Sequence, residues 1–521
     1  MNFTEKINIL WADDEIDLLK PHIMFLEERG YKLVTANNGA TALDLVTEQH
    51  FDLVFLDENM PGITGLETLV KIKNKQPNLQ VIMITKSEEE SIMEEAIGSK
   101  ISDYLIKPVN PNQILLSIKK HIETKRLISQ KTTSNYQQEF RQIGMQLGGR
   151  LDREEWLEIF KKLTYWELEL DKSGDESMQQ ILDMQKSEAN AQFFKFVKDN
   201  YKDWLHGNKD APVMSHTLFR EYVLPQMQEC KSHFFIVIDN LRYDQWKIIE
   251  PEVLNYFRVE EEGLYLSILP TATQYSRNAI FSGLMPSEMH KRHSDWWKND
   301  DDEGGKNMFE EQFLQAQLQR LGKGGLKLSY NKVTNIDVGR KLAENMHNLM
   351  RNDLNVIVYN FVDMLSHART DMKVIKELAE DDAAYRSLTA SWFEHSPLKD
   401  MLRFISENNA KVSLTTDHGT ILVKKPTKVL GDKNLSTNLR YKQGKNMRYD
   451  FSEVFEIDKP HEFFLPNINL SSKYIFAKED CFFAYPNNYN YFVNHYKQTF
   501  QHGGVSMKEM IIPIVTLIPK K

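Results

Sequence analysis

Residues 7–14 read INILWADD, a short apolar run followed directly by two acids. Four further apolar runs come before residue 107, and the stretches between them have helical periodicity. The five runs are residues 7–11, 32–36, 53–56, 81–85 and 104–106. Strands that alternate with helices in this way predict an α/β domain with a doubly wound sheet of five parallel strands and five helices.

The composition bounds the class of protein. The chain has 521 residues, which is too long for one hydrophobic core, because single cores stop growing near roughly 250 to 300 residues. With 41% hydrophobic and 27% charged residues it is globular. Its apolar runs are far shorter than the ~20 residues of a membrane helix, and no secretory signal is evident, so we expect a cytoplasmic protein without membrane insertion. Only Cys230 and Cys481 occur, which excludes a cysteine-built zinc site, and the net charge of -9 argues against a chain-wide nucleic-acid surface.

The rest of the chain contains a helical region and a second α/β region. Residues 124–208 have no strand-like run, and their apolar residues recur at one-sided helical spacing, which predicts a central helical bundle. Such a bundle can be a spacer, a signalling lever or a dimer surface. Strands and helices alternate again in residues 209–521, with polar interruptions at 293–306 and 424–450. We therefore expect three domains, with bounds 1–123, 124–208 and 209–521.

Polar residues follow successive strands of the first domain, at the edge where open α/β sheets place their sites. Asp13 and Asp14 follow the first strand, and Asp57 follows the third. Thr85 and Lys107 follow the fourth and the fifth strand. Clustered carboxylates repel one another unless a divalent cation joins them, and their hard oxygens suit magnesium. The pattern predicts a Mg²⁺ site in which Asp57 attacks a phosphohistidine phosphorus, with Lys107 neutralising the phosphoryl oxygens.

This order and spacing resemble the two-component response-regulator receiver domain over nearly all of residues 1–122. The resemblance implies phosphorylation at one aspartate, one magnesium ion with Asp14 as its main ligand, and a switch pair that changes the dimer-forming face. The residues implicated are Asp57 for phosphorylation, Asp13, Asp14, Asp57 and the Asn59 carbonyl for magnesium, and Thr85, Tyr104 and Lys107 for the switch. One departure is Trp11-Ala12, where the family usually carries small aliphatic residues.

Strand ends of the second α/β region also carry candidate ligands. In chain order they are Asp239, the segment Pro270-Thr271-Ala272-Thr273, Asp363 with His367, Asp417 with His418, and His502. Carboxylate and imidazole are the ligands that zinc accepts where thiolates are absent. Two cations about 4 Å apart would activate a hydroxyl and hold the entering and leaving oxygens of a phosphoryl transfer. A threonine hydroxyl is a poor nucleophile until a metal lowers its pKa.

The joint order of these elements resembles the alkaline phosphatase superfamily, closest to its nucleotide pyrophosphatase/phosphodiesterase members and to the PglZ domain, over roughly residues 211–521. The resemblance implies two zinc ions. Their ligands would be Asp363, His367 and His502 for one ion, and Asp239, Asp417, His418 and a threonine for the other. It places the nucleophile at Thr273, with Thr271 as the alternative. Residues 291–301 do not match the family's segment that contacts the phosphoryl oxygens, so the substrate class stays open.

A basic segment, residues 424–448, directly follows Asp417-His418 in an otherwise acidic chain. It is either a solvated, mobile loop or an electrostatic guide for a phosphate-rich substrate such as a nucleotide or oligonucleotide. The guide hypothesis rests on Lys424, Lys425, Arg440 and Lys442.

A receiver, a helical bundle and a PglZ-type domain in this order resemble the PorX-type response regulators linked to type IX protein secretion. The resemblance implies a cognate sensor histidine kinase and an extracytoplasmic-function sigma factor as partners. Our hypothesis is that phosphorylation at Asp57 favours a homodimer and controls a zinc-dependent phosphodiesterase that acts on nucleotide-type phosphodiesters. The rival is a non-catalytic, zinc-stabilised signalling platform that binds a sigma factor. Direct DNA reading ranks third, because no helix-turn-helix is evident.

Overall fold

A computed structural model describes most of the chain. The described residues are 7–76, 79–86, 101–208, 210–227, 231–300, 302–371, 381–431, 436–467, 471–485 and 488–520, without the side chains of 122–131 and 367–371. The chain divides into two compact units, Met1–Gln137 with Ser173–Asp175, and Gln138–Lys172 with Glu176–Lys521. Most of the helical region therefore belongs to the second unit, and the three domain bounds given above stay a prediction.

The first unit is built on a five-stranded parallel sheet, as the sequence predicts. In spatial order its strands are Lys32–Ala36, Asn8–Ala12, Leu53–Asp57, Gln80–Thr85 and Asp103–Ile106. Its α-helices include Lys20–Glu27, Gly39–Glu48, Gly65–Lys75 and Pro111–Ile118, with a 3-10 turn at Ile16–Leu19. The helix expected between the fourth and fifth strands falls on residues 87–100, outside the described part of the chain.

Alternate residues of the central strands enter two separate cores, one on each face of this sheet. Leu10 and Val54 belong to one core, whereas Trp11 and Phe55 belong to the other. Burial on both faces is what a parallel sheet covered by helices requires. Trp11, the departure from the family pattern, is fully buried, and its ring lies 5.3 Å from that of Phe55.

Three long helices follow and confirm the helical character of the linker. They are Thr124–Leu147, Arg153–Ser173 and Glu176–Leu205, with a five-residue π-helical stretch, Lys119–Glu123, before them. The second and third form a hairpin in which the Trp156 ring packs on those of Phe193 and Phe196, at 5.5 Å and 5.8 Å. Within the described residues, no helix has both the length and the apolar character needed to cross a membrane.

The large α/β domain is built on a six-stranded mixed sheet. In spatial order its strands are Phe257–Leu266, Ile511–Pro519, Lys411–Thr415, His233–Ile238, Leu354–Tyr359 and Leu328–Val333. The last four strands run parallel, and Ile511–Pro519 is antiparallel to both neighbours. Because parallel strands end at the same edge, the residues after His233–Ile238, Leu354–Tyr359 and Lys411–Thr415 are brought together.

Helices surround this sheet. The helices of the domain include Ser215–Leu218, Phe219–Val223, Leu224–Gln226, Tyr243–Val253, Thr273–Ser282, Pro286–Arg292, Glu310–Arg320, Ile336–Glu344, Met346–Leu349, Phe361–Asp371, Asp382–His395, Pro397–Glu407, Phe451–Glu453, Pro460–Phe463, Tyr489–Tyr496 and Met507–Met510. Helix Phe361–Asp371 begins two residues before Asp363, so Asp363 and His367 lie one helical turn apart, as the spacing predicts.

Three small sheets lie beside the main one, and two of them include the basic segment. Strand Lys425–Lys428 pairs with Cys481–Ala484, and Tyr441–Gly444 pairs with Lys473–Ala477. The remaining pairs are Val454–Ile457 with Lys473–Ala477 and Ile421–Leu422 with Phe500–Gln501. The interpretation of residues 424–448 as a solvated, mobile loop is therefore wrong for these strands, because ladder hydrogen bonds hold their backbone.

Candidate functional site

The first cluster of site residues lies at the carboxyl edge of the five-stranded sheet. Asp13 and Asp57 are buried, Asp14 is exposed, and one oxygen of each lies within 4.8 Å of the others. The Lys107 Nζ is 2.7 Å from Asp13 Oδ2 and 2.7 Å from Asp57 Oδ1. The Asn59 amide donates to Asp57 Oδ2 at 3.1 Å. Two buried carboxylates and one ammonium at this edge form an acidic pocket that fits a hard divalent cation.

The electrostatics of this pocket follow from burial. Burial raises the pKa of Asp57, and the hydrogen bond and charge of Lys107 offset this only in part. Burial by itself lowers the pKa of Lys107, but Asp13 and Asp57 outweigh it and raise that pKa above its ordinary value. Thr85 ends the fourth strand and is fully buried, and the Tyr104 hydroxyl hydrogen-bonds it while burial raises the Tyr104 pKa. All the receiver residues expected at the site are thus close in space.

The second cluster lies where the parallel strands of the large domain end. Asp239 follows strand His233–Ile238, and Asp417 and His418 follow strand Lys411–Thr415. All three side chains are buried, and one ligand atom of each lies within 4.8 Å of the others. Burial raises the pKa of Asp239 and of Asp417, and the proximity of Asp363 adds to both shifts.

Asp417 shows that this cluster fits a cation. Its Oδ1 accepts hydrogen bonds from the amides of Asn240 and His418, at 3.2 Å and 3.1 Å. Among the described side chains, its buried Oδ2 has no hydrogen-bond partner, and Arg277 Nη1 lies 3.8 Å from it. Buried polar atoms are normally hydrogen-bonded, so a buried carboxylate oxygen without a partner is what a bound cation would explain.

His418 is prepared as a ligand. Its Nδ1 lies 3.1 Å from the Gly419 carbonyl oxygen, which can only accept, so Nδ1 carries the proton of the neutral ring and Nε2 is left with its lone pair. Burial lowers the pKa of His418 despite the nearby Asp239 and Asp363, which favours the neutral ring. Nε2 faces Asp239 Oδ1 and Asp417 Oδ2, at 3.9 Å and 3.8 Å.

The structure describes the side chains of two of the three ligands predicted for the other zinc ion, Asp363 and His502. His502 Nε2 lies 3.8 Å from Asp363 Oδ1, while its Nδ1 is 3.1 Å from the Thr271 carbonyl oxygen. The His502 ring stacks on the His418 ring with centroids 4.2 Å apart, which joins this half to the first. The backbone of His367 lies in helix Phe361–Asp371, but its side chain is outside the described part of the chain.

The two candidate threonines have different surroundings. Thr273 Oγ1 lies 3.0 Å from His418 Nε2 and 3.4 Å from Asp239 Oδ1, and it is the first residue of helix Thr273–Ser282. Thr271 is fully buried, its hydroxyl donates to the Gly504 carbonyl, and it accepts from the Gly503 amide. Thr273 therefore faces the acid cluster, whereas Thr271 fastens the loop that carries His502.

Arg277 is a site residue that the sequence patterns do not indicate. It lies one helical turn after Thr273 and is buried, with Nη1 2.6 Å from Asp239 Oδ2 and Nε 2.5 Å from Glu310 Oε1. Glu310 is held in turn by Lys332 at 2.8 Å. The position of Arg277 four residues after Thr273 is a sequence signal that could have placed it beside the site. Its ion pair with Glu310 has no such signal, because Glu310 is 33 residues away in sequence.

The residues proposed as a basic guide fall into two groups. Lys424 and Lys425 are exposed, as a guide requires. Arg440 and Lys442 are buried, so their assignment to an exposed guide is wrong. Arg440 forms a two-bond ion pair with Glu509, and burial lowers the pKa of Lys442 to about 7. Lys442 lies in strand Tyr441–Gly444, which is paired in a sheet, and Arg440 directly precedes this strand.

The fold and the two clusters define a two-component response regulator with a phosphoesterase-like second domain. Residues 9–119 match the response regulator receiver domain, residues 126–205 the PorX response regulator linker domain, and residues 218–517 the BREX system PglZ alkaline phosphatase-like domain. The chain belongs to this PglZ alkaline phosphatase-like family, and the three matches in this order form the PorX-type architecture. Receiver domains bind Mg²⁺ and imply a cognate histidine kinase.

Curated relatives match the receiver region. The chain is 35% identical over 119 residues to the alginate biosynthesis regulator AlgB of Pseudomonas syringae, which is 23% of this chain and 27% of that protein. It is 34% identical over 140 residues to ZraR of Klebsiella oxytoca, which is 27% of this chain and 32% of that protein. The matches thus span about a third or less of these two transcriptional regulators.

Solved structures also match over the same region. A CheY-like receiver from Methanospirillum hungatei is 27% identical, with a TM-score of 0.23, and covers 23% of this chain and 96% of its own. TrrA of Thermotoga maritima in complex with Mg²⁺ and BeF is 31% identical, with a TM-score of 0.21, and covers 22% of this chain and 98% of its own.

Proposed function

We propose that this protein is a phosphorylation-controlled, zinc-dependent phosphodiesterase that acts on nucleotide-type phosphodiesters. The observation that carries the proposal is the position of Thr273, whose hydroxyl faces both His418 Nε2 and Asp239 Oδ1. In the described part of the chain, the buried Oδ2 of the neighbouring Asp417 has no hydrogen-bond partner. A non-catalytic platform would have no use for a nucleophile at this point. Asp239, Asp417, His418 and Thr273 would hold one zinc ion, and Asp363, His367 and His502 the other.

Thr273 is the proposed nucleophile. Its oxygen attacks phosphorus, one ester oxygen leaves with its alcohol, and water then releases the phosphoryl group from the threonine. Bound zinc ions would lower the pKa of the Thr273 hydroxyl and neutralise the charge of the phosphoryl oxygens. Thr273 is also the first residue of helix Thr273–Ser282, and the positive end of the helix dipole favours the negative charge of a phosphoryl group bound there.

Control would come from the first unit. Asp57 accepts the phosphoryl group, with Asp13, Asp14 and the Asn59 carbonyl holding Mg²⁺ and Lys107 pairing with the phosphoryl oxygens. Thr85 and Tyr104 then act as the switch pair, and the phosphorylated form favours a homodimer. The proposal includes a cytoplasmic role in type IX secretion with an extracytoplasmic-function sigma factor as a partner, as the resemblance to PorX-type regulators implies.

The decisive experiment compares threonine variants on bis-p-nitrophenyl phosphate with zinc supplied. Thr273→Val removes the hydroxyl at constant volume, and Thr273→Ser is the matched control that keeps it. We expect Thr273→Val to lose at least ~10³-fold in turnover, with zinc content unchanged within a factor of two, and Thr273→Ser to remain active. Equal rates for wild type, Thr273→Val and Thr271→Val, or zinc binding without turnover in the wild type, would contradict the hydrolase proposal. Loss of activity in Thr271→Val alone would move the nucleophile to Thr271.

A further inference from the structure

A network of buried ion pairs joins the linker helices to the large domain. At its centre is Glu167, on helix Arg153–Ser173, with its side chain 3% exposed. Its carboxylate lies 2.7 Å from Arg386, 3.0 Å from Lys508 and 3.1 Å from Lys186 of the neighbouring linker helix. One linker carboxylate therefore contacts two separate helices of the large domain.

Two carboxylates of the large domain also belong to the network, and Asp171 on helix Arg153–Ser173 pairs with Arg386 as well. Asp244 pairs with Arg242 at 2.7 Å and with Arg386 at 2.8 Å. Asp382 pairs with Arg242 at 2.5 Å and with Lys508 at 2.9 Å. Oxygens of Glu167, Asp244 and Asp382 lie within 4.8 Å of one another, as they would in a metal site. Here the charges of Arg242, Arg386, Lys508 and Lys186 already neutralise them, so the cluster is an ionic junction rather than a metal site.

The same junction contacts the segments that carry the candidate metal ligands. Arg242 and Asp244 follow Asp239 by three and five residues. Tyr385 lies between Asp382 and Arg386 on one helix, and its hydroxyl donates to the Val362 carbonyl at 3.0 Å, directly beside Asp363. The segments that carry Asp239 and Asp363 are therefore both connected to the junction.

Helix Met507–Met510 connects the two remaining ligand segments, which carry His418 and His502, to the junction. The Gly419 amide, next to His418, donates to the Glu509 carbonyl at 3.0 Å, and the Gly504 amide, near His502, donates to the Glu509 side chain at 2.9 Å. A Cβ on Gly419 would lie 2.0 Å from the Lys508 carbonyl oxygen, so this turn and Lys508 are in direct backbone contact. Lys508 thus connects the His418 and His502 segments to Glu167.

Glu167 is ionised in this setting. Burial by itself raises the pKa of Glu167, but Lys186, Lys508 and Arg386 outweigh burial and hold the pKa well below its ordinary value. Without this carboxylate, Arg386, Lys508 and Lys186 would lose the one anion that they share, and each would keep only its other carboxylate partners. The buried junction would then carry excess positive charge, and repulsion would move the helices that carry Arg386 and Lys508.

We propose that Glu167 is a positioning residue through which the linker helices set the arrangement, and so the metal affinity, of the four ligand segments. The inference rests on the proposed function in one respect, that Asp239, Asp363, Asp417, His418 and His502 bind metal. According to this proposal, a change in the position of the linker hairpin alters metal binding at the phosphoesterase site.

The test measures zinc affinity of the full-length protein by competition with a chromophoric chelator, independently of turnover. The zinc bound at this site is the difference between the zinc bound by the wild type and the zinc bound by Asp417→Asn. Glu167→Gln is compared with Glu158→Gln, a matched change on the same helix whose side chain is 61% exposed. We expect Glu167→Gln to bind zinc about 10- to 100-fold more weakly, as for residues that orient metal ligands, and Glu158→Gln to match the wild type. Restoring charge balance with Glu167→Gln/Lys186→Met should recover part of the affinity.

Thermal unfolding of the metal-free proteins shows whether each variant folds. If Glu167→Gln does not fold, Glu167→Asp decides, because it keeps the charge and shortens the side chain; we expect weaker zinc binding by a folded protein. A folded Glu167→Gln, or in its place a folded Glu167→Asp, with wild-type zinc affinity overturns the positioning role and leaves the phosphodiesterase intact. A wild type that binds zinc without hydrolysing any phosphodiester removes the proposed function alone. A wild type that binds no zinc at this site overturns both.

Discussion

Arg440 belongs to the basic segment, but its buried position predicts that it stabilises the fold and does not bind substrate. Both it and Glu509 are fully buried, and Arg440 approaches Glu509 with Nη2 at 2.5 Å and Nε at 3.1 Å. Glu509 also accepts from the Gly504 amide and the Ser506 hydroxyl, close to His502. The pair therefore holds the segment before the final strand against strand Tyr441–Gly444.

Replacing Arg440 by Met removes one partner and leaves a carboxylate uncompensated in the interior. Breaking a buried ion pair in this way costs about 3 to 5 kcal/mol. In a domain of this size each kcal/mol corresponds to roughly 2 to 4 °C in Tm, so we expect the transition of the large domain to fall by on the order of 10 °C. The two remaining hydrogen bonds of Glu509 keep the loss from being larger.

The measurement is differential scanning calorimetry of the metal-free protein, with urea unfolding as a second probe. Lys424→Met is the control, because it removes a positive charge from an exposed position in the same segment. We expect the control to leave Tm within about 1 °C and to weaken oligonucleotide binding in a salt-dependent manner. If Arg440→Met left Tm unchanged and weakened oligonucleotide binding instead, the burial argument would be refuted.

Three further outcomes are expected. Burial lowers the pKa of His233 to about 3 from 6.5, so the unfolded chain takes up this proton first as pH falls. His233 should by itself cost the large domain about 2 kcal/mol between pH 8 and 5, and pH-dependent urea unfolding of His233→Gln should show a loss smaller by that amount. Gly419→Ala should push Met507–Met510 away from Asp417-His418 and weaken zinc binding about tenfold; an unchanged chelator-competition curve would contradict this. Asp57→Asn should abolish both acetyl-phosphate labelling and phosphorylation-dependent dimerisation in sedimentation, whereas the exposed Asp44→Asn should retain both.

Much of the candidate site is accessible to sequence reasoning because strand ends are a local signal. An apolar run that ends in an acid places that acid at the carboxyl edge of a parallel sheet, and this holds for Asp13, Asp57, Asp239 and Asp417. The threonines were both candidates in sequence. Their different hydrogen-bond partners, His418 for Thr273 and Gly503 for Thr271, come from segments more than 140 residues away.

Charged residues show where sequence reasoning stops. Lys424 and Arg440 belong to one basic segment, yet Lys424 is exposed and Arg440 is buried against Glu509, 69 residues further on. A charge is buried only where an opposite charge meets it, and that partner is chosen by packing. The same reason hides Arg277 and Glu167, whose partners Glu310 and Arg386 are distant in sequence.

The amino-acid sequence by itself determined the two α/β domains, the helical region between them, the acid cluster of the receiver and the order of the candidate zinc ligands, because period-2 and period-3.6 patterns and strand-end polar residues are local properties of the chain. The tertiary structure alone decided which hydroxyl faces the acids, which basic residues are solvated, and that Glu167 of the linker pairs with Arg386 and Lys508 of the large domain. These depend on contacts between residues far apart in the chain, and burial sets the energy of each charge only once those contacts exist.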